Sequence, residues 1–439
     1  MRLFGTDGIR LLSEQFFCDR LAWRVGRALG EVLMRSTDSP TVLIGRDTRE
    51  SGIRIENELA SGLAAAGATA FSLGIAPTPA VAYLTGQHRF TVGISISASH
   101  NGAEYNGIKI IGNDSRKIGD RDEDEIEALI SRFEGGATTV CAADASALLA
   151  DYRMHVMDAA GDLSGIKIAL DCANGAAYNE ARAIFSALGC DCICIGCEPS
   201  GDNINQGLGS TCPDTLCRTV IENECAAGFA FDGDADRCIA ADECGEIRDG
   251  DYELAVLAEH LLLRGDMGDT VVGTVMTNSG LAARLSELGL KLERAAVGDK
   301  YVSELMDKLD SRLGGESSGH IIISQYASTG DGILTAAIIL RAMRDSGKRL
   351  SQLCSRLKLR PQICADITAD IDEKERFATL PEIRELIDEA QAAIGRGRIL
   401  VRPSGTEAKI RIMAEGENED VTRTVAEGLA QRIRRIIAK

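Results

Sequence analysis

Three stretches of this chain repeat one gesture: an apolar run, a turn rich in glycine, asparagine or aspartate, then a helical pattern. They read VLIGRDTRESG from Val42 to Gly52, IALDCANGA from Ile168 to Ala176 and GTVMTNSGLA from Gly273 to Ala282. A short apolar run bounded by turn residues reads as a buried strand. Strands that alternate with helices pair through crossovers, so their sheets are largely parallel. The pattern predicts α/β units for most of the chain, with a linker over the small-residue stretch Gly135-Gly136-Ala137-Thr138-Thr139. From about Leu359 the order changes to strands at Ile363 to Ile367, Arg398 to Val401 and Lys409 to Ala414, with helices between and after. That is the pattern of a smaller α+β unit.

A formal net charge of −18 argues against nucleic acid or an anionic membrane as the main partner. No apolar run reaches the length of a membrane helix, and MRLFGTDGIR lacks the apolar core of a signal peptide. The expectation is a cytoplasmic protein whose anionic ligands, if any, are drawn by local Arg and Lys. The basic tail Arg432, Arg434, Arg435, Lys439 reads as the solvated face of a last helix. The 14 cysteines read as reduced thiols. Cys190, Cys192 and Cys194 alternate with Asp191, Ile193 and Ile195, the spacing of one strand face in a core rather than of a metal knuckle.

The stretch GISISASHNGAEYNGIKII, Gly93 to Ile111, carries a β-type run into the hydroxyls of Ser95, Ser97 and Ser99, followed by a His-Asn-Gly turn. A serine at a strand end is held rigidly with its hydroxyl open, as a nucleophile or phosphate carrier requires. An ordinary strand and polar turn is the alternative reading.

DGDADR places Asp232, Asp234 and Asp236 at every second position of a turn after an apolar strand. Three carboxylates so spaced can converge on one hard cation, which also relieves their mutual repulsion. An EF-hand would put its last ligand at Glu243, but Arg237 stands where that loop needs glycine and both flanks read as strands. A solvated acidic turn is the other alternative. Mg²⁺ suits few carboxylates plus a phosphate oxygen better than Ca²⁺. RPSGTE combines Arg402, two hydroxyls and Gly405, the parts of a phosphate cradle or of a plain turn. GGESSGH gathers Glu316, Ser317, Ser318 and His320, which could bracket vicinal hydroxyls; His320 could equally be a structural histidine. Loop arginines in GTDGIR and GRDTR are of the phosphate-binding kind.

In this order, FGTDGIR, GRDTRESG, SASHN with NGIK, DGDADR, GGESSGH, TGDGI and RPSGTE resemble the α-D-phosphohexomutase superfamily over essentially the whole chain. The resemblance implies four domains around a central cleft, three similar α/β domains with mixed or mostly parallel sheets and a smaller α+β C-terminal one. Their bounds are expected at 1–138 (phosphoserine), 139–248 (metal), 249–358 (sugar) and 359–439 (distal phosphate). It implies an enzyme phosphorylated on Ser99, the serine before the histidine, with one Mg²⁺ held by Asp232, Asp234, Asp236 and the phosphoserine oxygen. Lys109 and Arg237 then lie near the transferred phosphoryl, with Lys109 and His320 as candidate bases. Arg10, Glu316 and Ser318 contact the sugar phosphate, and Arg402, Ser404, Gly405 and Thr406 hold its distal phosphate.

The implied substrate is a small sugar phosphate, taken by a monomer or homodimer. FGTDGIR and GGESSGH lean towards the amino-sugar members, which supply precursors of UDP-N-acetylglucosamine and the cell wall. Mannose- or glucose-phosphate members are the alternative, and a non-catalytic calcium-binding module is the alternative from another class. The chain departs from the family pattern at Leu11, where glycine is usual, and at Gly102, where proline commonly follows the Ser-His-Asn.

Overall fold

A computed structural model describes residues 2–5, 7–404 and 408–438. It divides into two compact units, Met1–Thr277 with Leu285–Arg356, and Asn278–Arg284 with Leu357–Lys439.

The first unit holds three sheets. The first sheet has seven strands in the order Phe4–Gly5, Gly8–Leu12, Tyr105–Gly112, Val92–Ile96, Thr41–Arg46, Thr69–Ile75 and Ala143–Asp144. Thr41–Arg46 pairs in parallel with both neighbours, and Tyr105–Gly112 closes back antiparallel on Val92–Ile96. Val42, Leu43 and Ile44 are all buried, as a strand covered on both faces requires. Helices Leu21–Leu33 and Ser51–Ala66 cross at Gly26 and Gly62, where a Cβ would run into the backbone of Leu59 or Trp23. The short strand Ala143–Asp144 belongs to this sheet although it lies past the linker that the sequence suggests.

The second sheet has five strands, ordered Ile247–Arg248, Cys238–Asp242, Ala227–Phe231, Lys167–Asp171 and Asp191–Ile195. The strand expected from the cysteine alternation is present, but at the sheet edge. Cys192 and Cys194 are consequently half-buried rather than core, while Cys190 before it is buried. All 14 cysteines are free thiols. The third sheet has four strands, ordered Lys291–Ala295, Thr270–Thr274, Leu313–Gly315 and Ile321–Ile323.

The second unit is built on a three-stranded antiparallel sheet, Gln362–Thr368, Lys409–Glu415 and Arg398–Pro403, with the middle strand buried by Leu429, Ile433 and Ile437 of helix Glu419–Ile437. Arg432 and Arg434 of that helix pair with Glu389 and Glu373, so these members of the basic tail belong to a charge-balanced face. Three α/β sheets and a smaller antiparallel α+β unit are thus the architecture. Among the described residues, no helix is long and apolar enough to cross a membrane.

Candidate active site

The three hydroxyls of the Gly93–Ile111 stretch have different neighbours. Ser95 Oγ lies 2.6 Å from Thr78 Oγ1, and Ser97 Oγ donates to Asp47 Oδ2 at 2.6 Å while accepting from Ser99 N at 2.8 Å. Only Ser99 faces the acidic loop, with Oγ donating to Asp232 Oδ2 at 2.6 Å. Ser99 sits at φ 51°, the left-handed region that side chains other than glycine and asparagine seldom adopt. Its turn is therefore imposed by surroundings rather than by local preference.

Those surroundings centre on Arg49. Its side chain is fully buried, with Nε on Asp47 Oδ2 at 2.8 Å, Nη2 on the carbonyls of Ser99 and Asn101 at 3.0 and 2.8 Å, and Nη1 on the carbonyls of Tyr105 and Gly102. The expectation that GRDTR supplies phosphate-binding arginines is thus corrected. Arg49 spends its donors inside the protein, and Arg46 pairs with Glu56 at 3.1 Å.

Asp232, Asp234 and Asp236 occupy the loop between strands Ala227–Phe231 and Cys238–Asp242, a hairpin closed by the pair Phe231 and Cys238. Gly233 lets that loop meet the serine turn, because a Cβ there would come within 2.5 Å of the Ser99 carbonyl oxygen. One oxygen from each carboxylate lies within 4.8 Å of the others, and all three residues are buried. Asp234 Oδ1 and Asp236 Oδ1 are buried with no hydrogen-bond partner among the described residues. Two orphaned carboxylate oxygens beside a third carboxylate are a donor set that fits a hard divalent cation. Glu243, the twelfth position of an EF-hand reading, instead accepts from Ser351 at 2.5 Å, which removes that alternative.

Lys109 lies opposite Ser95 across the strand pair and is 1% exposed. Its Nζ lies 2.7 Å from Asp234 Oδ2, 3.2 Å from Asp236 Oδ2 and 3.3 Å from Asp7 Oδ2. Burial alone would lower its pKa, but Asp234, Asp236 and Asp7 overturn that and hold it well above the ordinary value. Burial pushes Asp232 well up, helped by the charges of Asp236 and Asp234. Asp236 also feels burial, yet Lys109 and His320 bring it well below the usual range. The same loop therefore holds carboxyls of opposite tendency, the signature of a site built around charge.

Arg237 donates its backbone N–H to Asp232 Oδ1 at 3.2 Å and places Nη1 3.2 Å from His100 Nδ1. His100 is itself 3.3 Å from Ser99 Oγ and is pushed down to about 4 by burial and by Arg237 and Arg10. Arg10 bonds Asp7 at 2.5 Å and Asn101 Oδ1 at 3.0 Å. His320 ends the hairpin loop of the third sheet. Its Nε2 accepts from Gly330 N at 3.1 Å, which leaves the proton on Nδ1, 3.8 Å from Asp236 Oδ1. Gly319 at φ 85° packs so tightly that a Cβ would strike the Cys238 carbonyl, docking this loop on the end of the acidic hairpin. Glu316 accepts from Gly298 N at 3.1 Å, and Ser318 is exposed at the loop tip.

The first unit thus brings Ser99, Lys109, Arg10, Arg237, His320 and the three aspartates together, with Glu316 and Ser318 on the loop that carries His320. In the second unit, Arg402 lies on strand Arg398–Pro403, and Ser404 follows with its carbonyl accepting from Lys374 Nζ at 2.7 Å. Gly405 and Thr406 lie outside the described residues. Sequence reasoning passed over Thr78, whose hydroxyl donates to Asp234 Oδ2 at 2.6 Å, and Asp7, which joins Arg10, Lys109 and Lys117. Asp7 stands in the quoted GTDGIR motif. Thr78, in Pro-Thr-Pro, carries no charge pattern to mark it.

Four comparisons with one family cover the chain in order. Residues 1–135, 150–245 and 249–359 match the phosphoglucomutase/phosphomannomutase alpha/beta/alpha domains I, II and III, and residues 367–432 match the C-terminal domain of the same family. The chain belongs to the phosphoglucomutase/phosphomannomutase family, a family of phosphohexomutases. Its similar relatives include the phosphoglucosamine mutases of Clostridium acetobutylicum, 44% identical over 98% of this chain and 98% of the relative, and of Clostridium botulinum strain Alaska E43, 44% identical over 98% and 99%. Among solved structures, a phosphoglucomutase/phosphomannomutase family protein from Burkholderia thailandensis superposes with a TM-score of 0.82 at 23% identity, covering 100% of this chain and 98% of that one. The Aspergillus fumigatus N-acetylphosphoglucosamine mutase, solved with GlcNAc-6P and magnesium, gives 0.71 at 15% identity over 99% and 96%. At those identities the likeness is one of fold.

Proposed function

We propose that this chain interconverts glucosamine 6-phosphate and glucosamine 1-phosphate through a phosphorylated Ser99 and a bound 1,6-bisphosphate. The observation that carries the reading is the 2.6 Å approach of Ser99 Oγ to Asp232 within the acidic triad. The 44% identical relatives named phosphoglucosamine mutase support the choice of sugar.

Phosphorylated Ser99 gives its phosphoryl to the free hydroxyl of the bound sugar phosphate. The Oγ–P bond breaks as the sugar O–P bond forms, and the hydroxyl proton passes to a base. The bisphosphate then reorients, and its other phosphate returns to Oγ, releasing the isomeric monophosphate. Such transfers depend on positioning and charge neutralisation. Asp232, Asp234, Asp236 and the Ser99 ester oxygen would hold a Mg²⁺ ion, which when bound neutralises phosphoryl oxygens and stabilises the serine oxygen as leaving group. Arg237 and Lys109 add positive charge beside the transferred group. Lys109 and His320 are the two candidate bases: Lys109 Nζ is held charged by Asp234, Asp236 and Asp7, and His320 Nε2 is occupied by Gly330 N–H, so either must give up a present partner to take the proton. Glu316, Ser318 and Arg10 address the sugar phosphate. In the second unit, Arg402 and Ser404, with Gly405 and Thr406, are the candidate phosphate-binding group.

A coupled assay offering glucosamine, glucose and mannose 6-phosphates tests the reading. The glucosamine ester is expected to have the highest kcat/KM, and a clear preference for glucose or mannose would overturn the sugar assignment. Stripping divalent ions with EDTA is expected to bring turnover to background and added Mg²⁺ to restore it. Calorimetry should find one Mg²⁺ site, weakened in Asp234→Asn. Full turnover after chelation, or Ca²⁺ restoring it better than Mg²⁺, would remove Mg²⁺ from the scheme.

A further inference from the structure

The left-handed turn at Ser99 is held from two sides, and only one of the holders belongs to the first sheet. Arg49 takes the carbonyls of Ser99 and Asn101 from the loop that follows strand Thr41–Arg46 of that sheet. The same two carbonyls also accept from Asn205 Nδ2, at 2.8 and 2.9 Å, reaching from the loops of the second sheet. Asn205 is not a loose surface amide. Its backbone N–H donates to Ala173 O at 2.8 Å, and its φ of 60° is one that asparagine tolerates far better than most side chains. Ala173 is fixed in turn, because Asp171 Oδ1 accepts its N–H at 2.9 Å while Oδ2 accepts from Gly209 N at 2.8 Å. A relay of hydrogen bonds thus runs from strand Lys167–Asp171 to the carbonyl of Ser99. The Asn205 amide also lies 3.1 Å from where a Cβ on Gly233 would sit, so it stands where the serine turn meets the acidic loop.

We propose that Asn205 is a positioning residue for phosphoryl transfer, its amide bridging the Ser99 and Asn101 carbonyls so that Ser99 Oγ is aimed at Asp232. This rests on the reading of Ser99 as the phosphoryl carrier. The two bonds bracket His100 and fix the plane of the Ser99–His100 peptide, hence both the serine hydroxyl and the imidazole 3.3 Å from it. Arg49 keeps the turn folded without Asn205, so losing the amide costs aim rather than fold. Partners one bond removed from a reacting or metal-binding group are commonly worth a factor of about 10 to 100 in activity.

Asn205→Asp keeps the shape and the left-handed tolerance but puts an acceptor against two carbonyls; Asn205→Gly keeps the backbone freedom and removes the side chain. Both are expected to lower kcat for glucosamine 6-phosphate by about 10- to 100-fold. KM, the Mg²⁺ concentration for half activation and the melting temperature should stay near wild-type values. An unchanged kcat in both variants overturns the inference. So does a fall in kcat matched by loss of Mg²⁺ affinity and melting temperature, which marks general loosening. If wild-type enzyme isomerises none of the sugar phosphates and carries no phosphoryl on Ser99, the proposed function itself has failed. An active wild type with unaffected variants removes only the role of Asn205.

Discussion

Ser99→Ala is expected to leave a folded, Mg²⁺-binding protein whose turnover has fallen by at least about 10⁴-fold, as when a covalent nucleophile is removed from other enzymes. No neighbour can stand in for it. Ser95 is tied to Thr78, and Ser97 is tied to Asp47 and to the backbone of residue 99, so neither hydroxyl can swing towards Asp232. Alanine at φ 51° is no more strained than serine there, and the Arg49 and Asn205 bonds to the turn are made to backbone carbonyls that alanine retains. Fold and chemistry are therefore separable at this residue. Intact-mass measurement of the wild type should show a fraction carrying one phosphoryl group, absent from Ser99→Ala. Retained turnover, or a phosphoryl mass that persists in the variant, would move the carrier elsewhere.

What the sequence made legible here follows from how local each signal is. The strand–turn–helix gestures predicted the α/β sheets because burial on both faces leaves an unbroken apolar run such as Val42 to Ile44. Alternate aspartates in one hairpin loop must share a small volume, so their convergence could be read from spacing. Ser99 was separated from Ser95 and Ser97 only by the motif's likeness to a family; the physical reason, that the other two hydroxyls are engaged, needs coordinates. Arg49 was misread because a loop arginine in Gly-Arg-Asp-Thr-Arg looks the same whether it faces a ligand or five internal acceptors. Asn205 and Thr78 gave no signal, since their roles arise where separate sheets meet and neither lies on a periodic pattern. The strand at Ala143–Asp144 was hidden for a similar reason: two residues show no alternation, and they join the first sheet by pairing with Thr69–Ile75.

The correction at Arg49 carries the second large expectation: Arg49→Met should destabilise the protein by about 3–5 kcal/mol, the cost of breaking a buried pair by removing one partner. Methionine fills much of the volume but leaves Gly102 and Tyr105 carbonyls without the guanidinium and Asp47 without its counter-charge. Burial raises Asp47 above the usual carboxylate pKa even with Arg49 beside it, so the variant should raise it further. A folded-state pKa above the unfolded value means the folded protein binds the proton more tightly, so stability falls as pH rises between the two values. The gap between variant and wild type is therefore smallest at low pH, where Asp47 is protonated in both, and widens as pH rises through the raised folded-state value. Arg49→Lys should fall between them, since one ammonium keeps the charge but cannot span acceptors that a planar fork reaches together. Urea unfolding across that pH range decides the matter. A variant as stable as wild type, or a deficit that does not change with pH, would mean that Arg49 is not the counter-charge on which the serine turn is built.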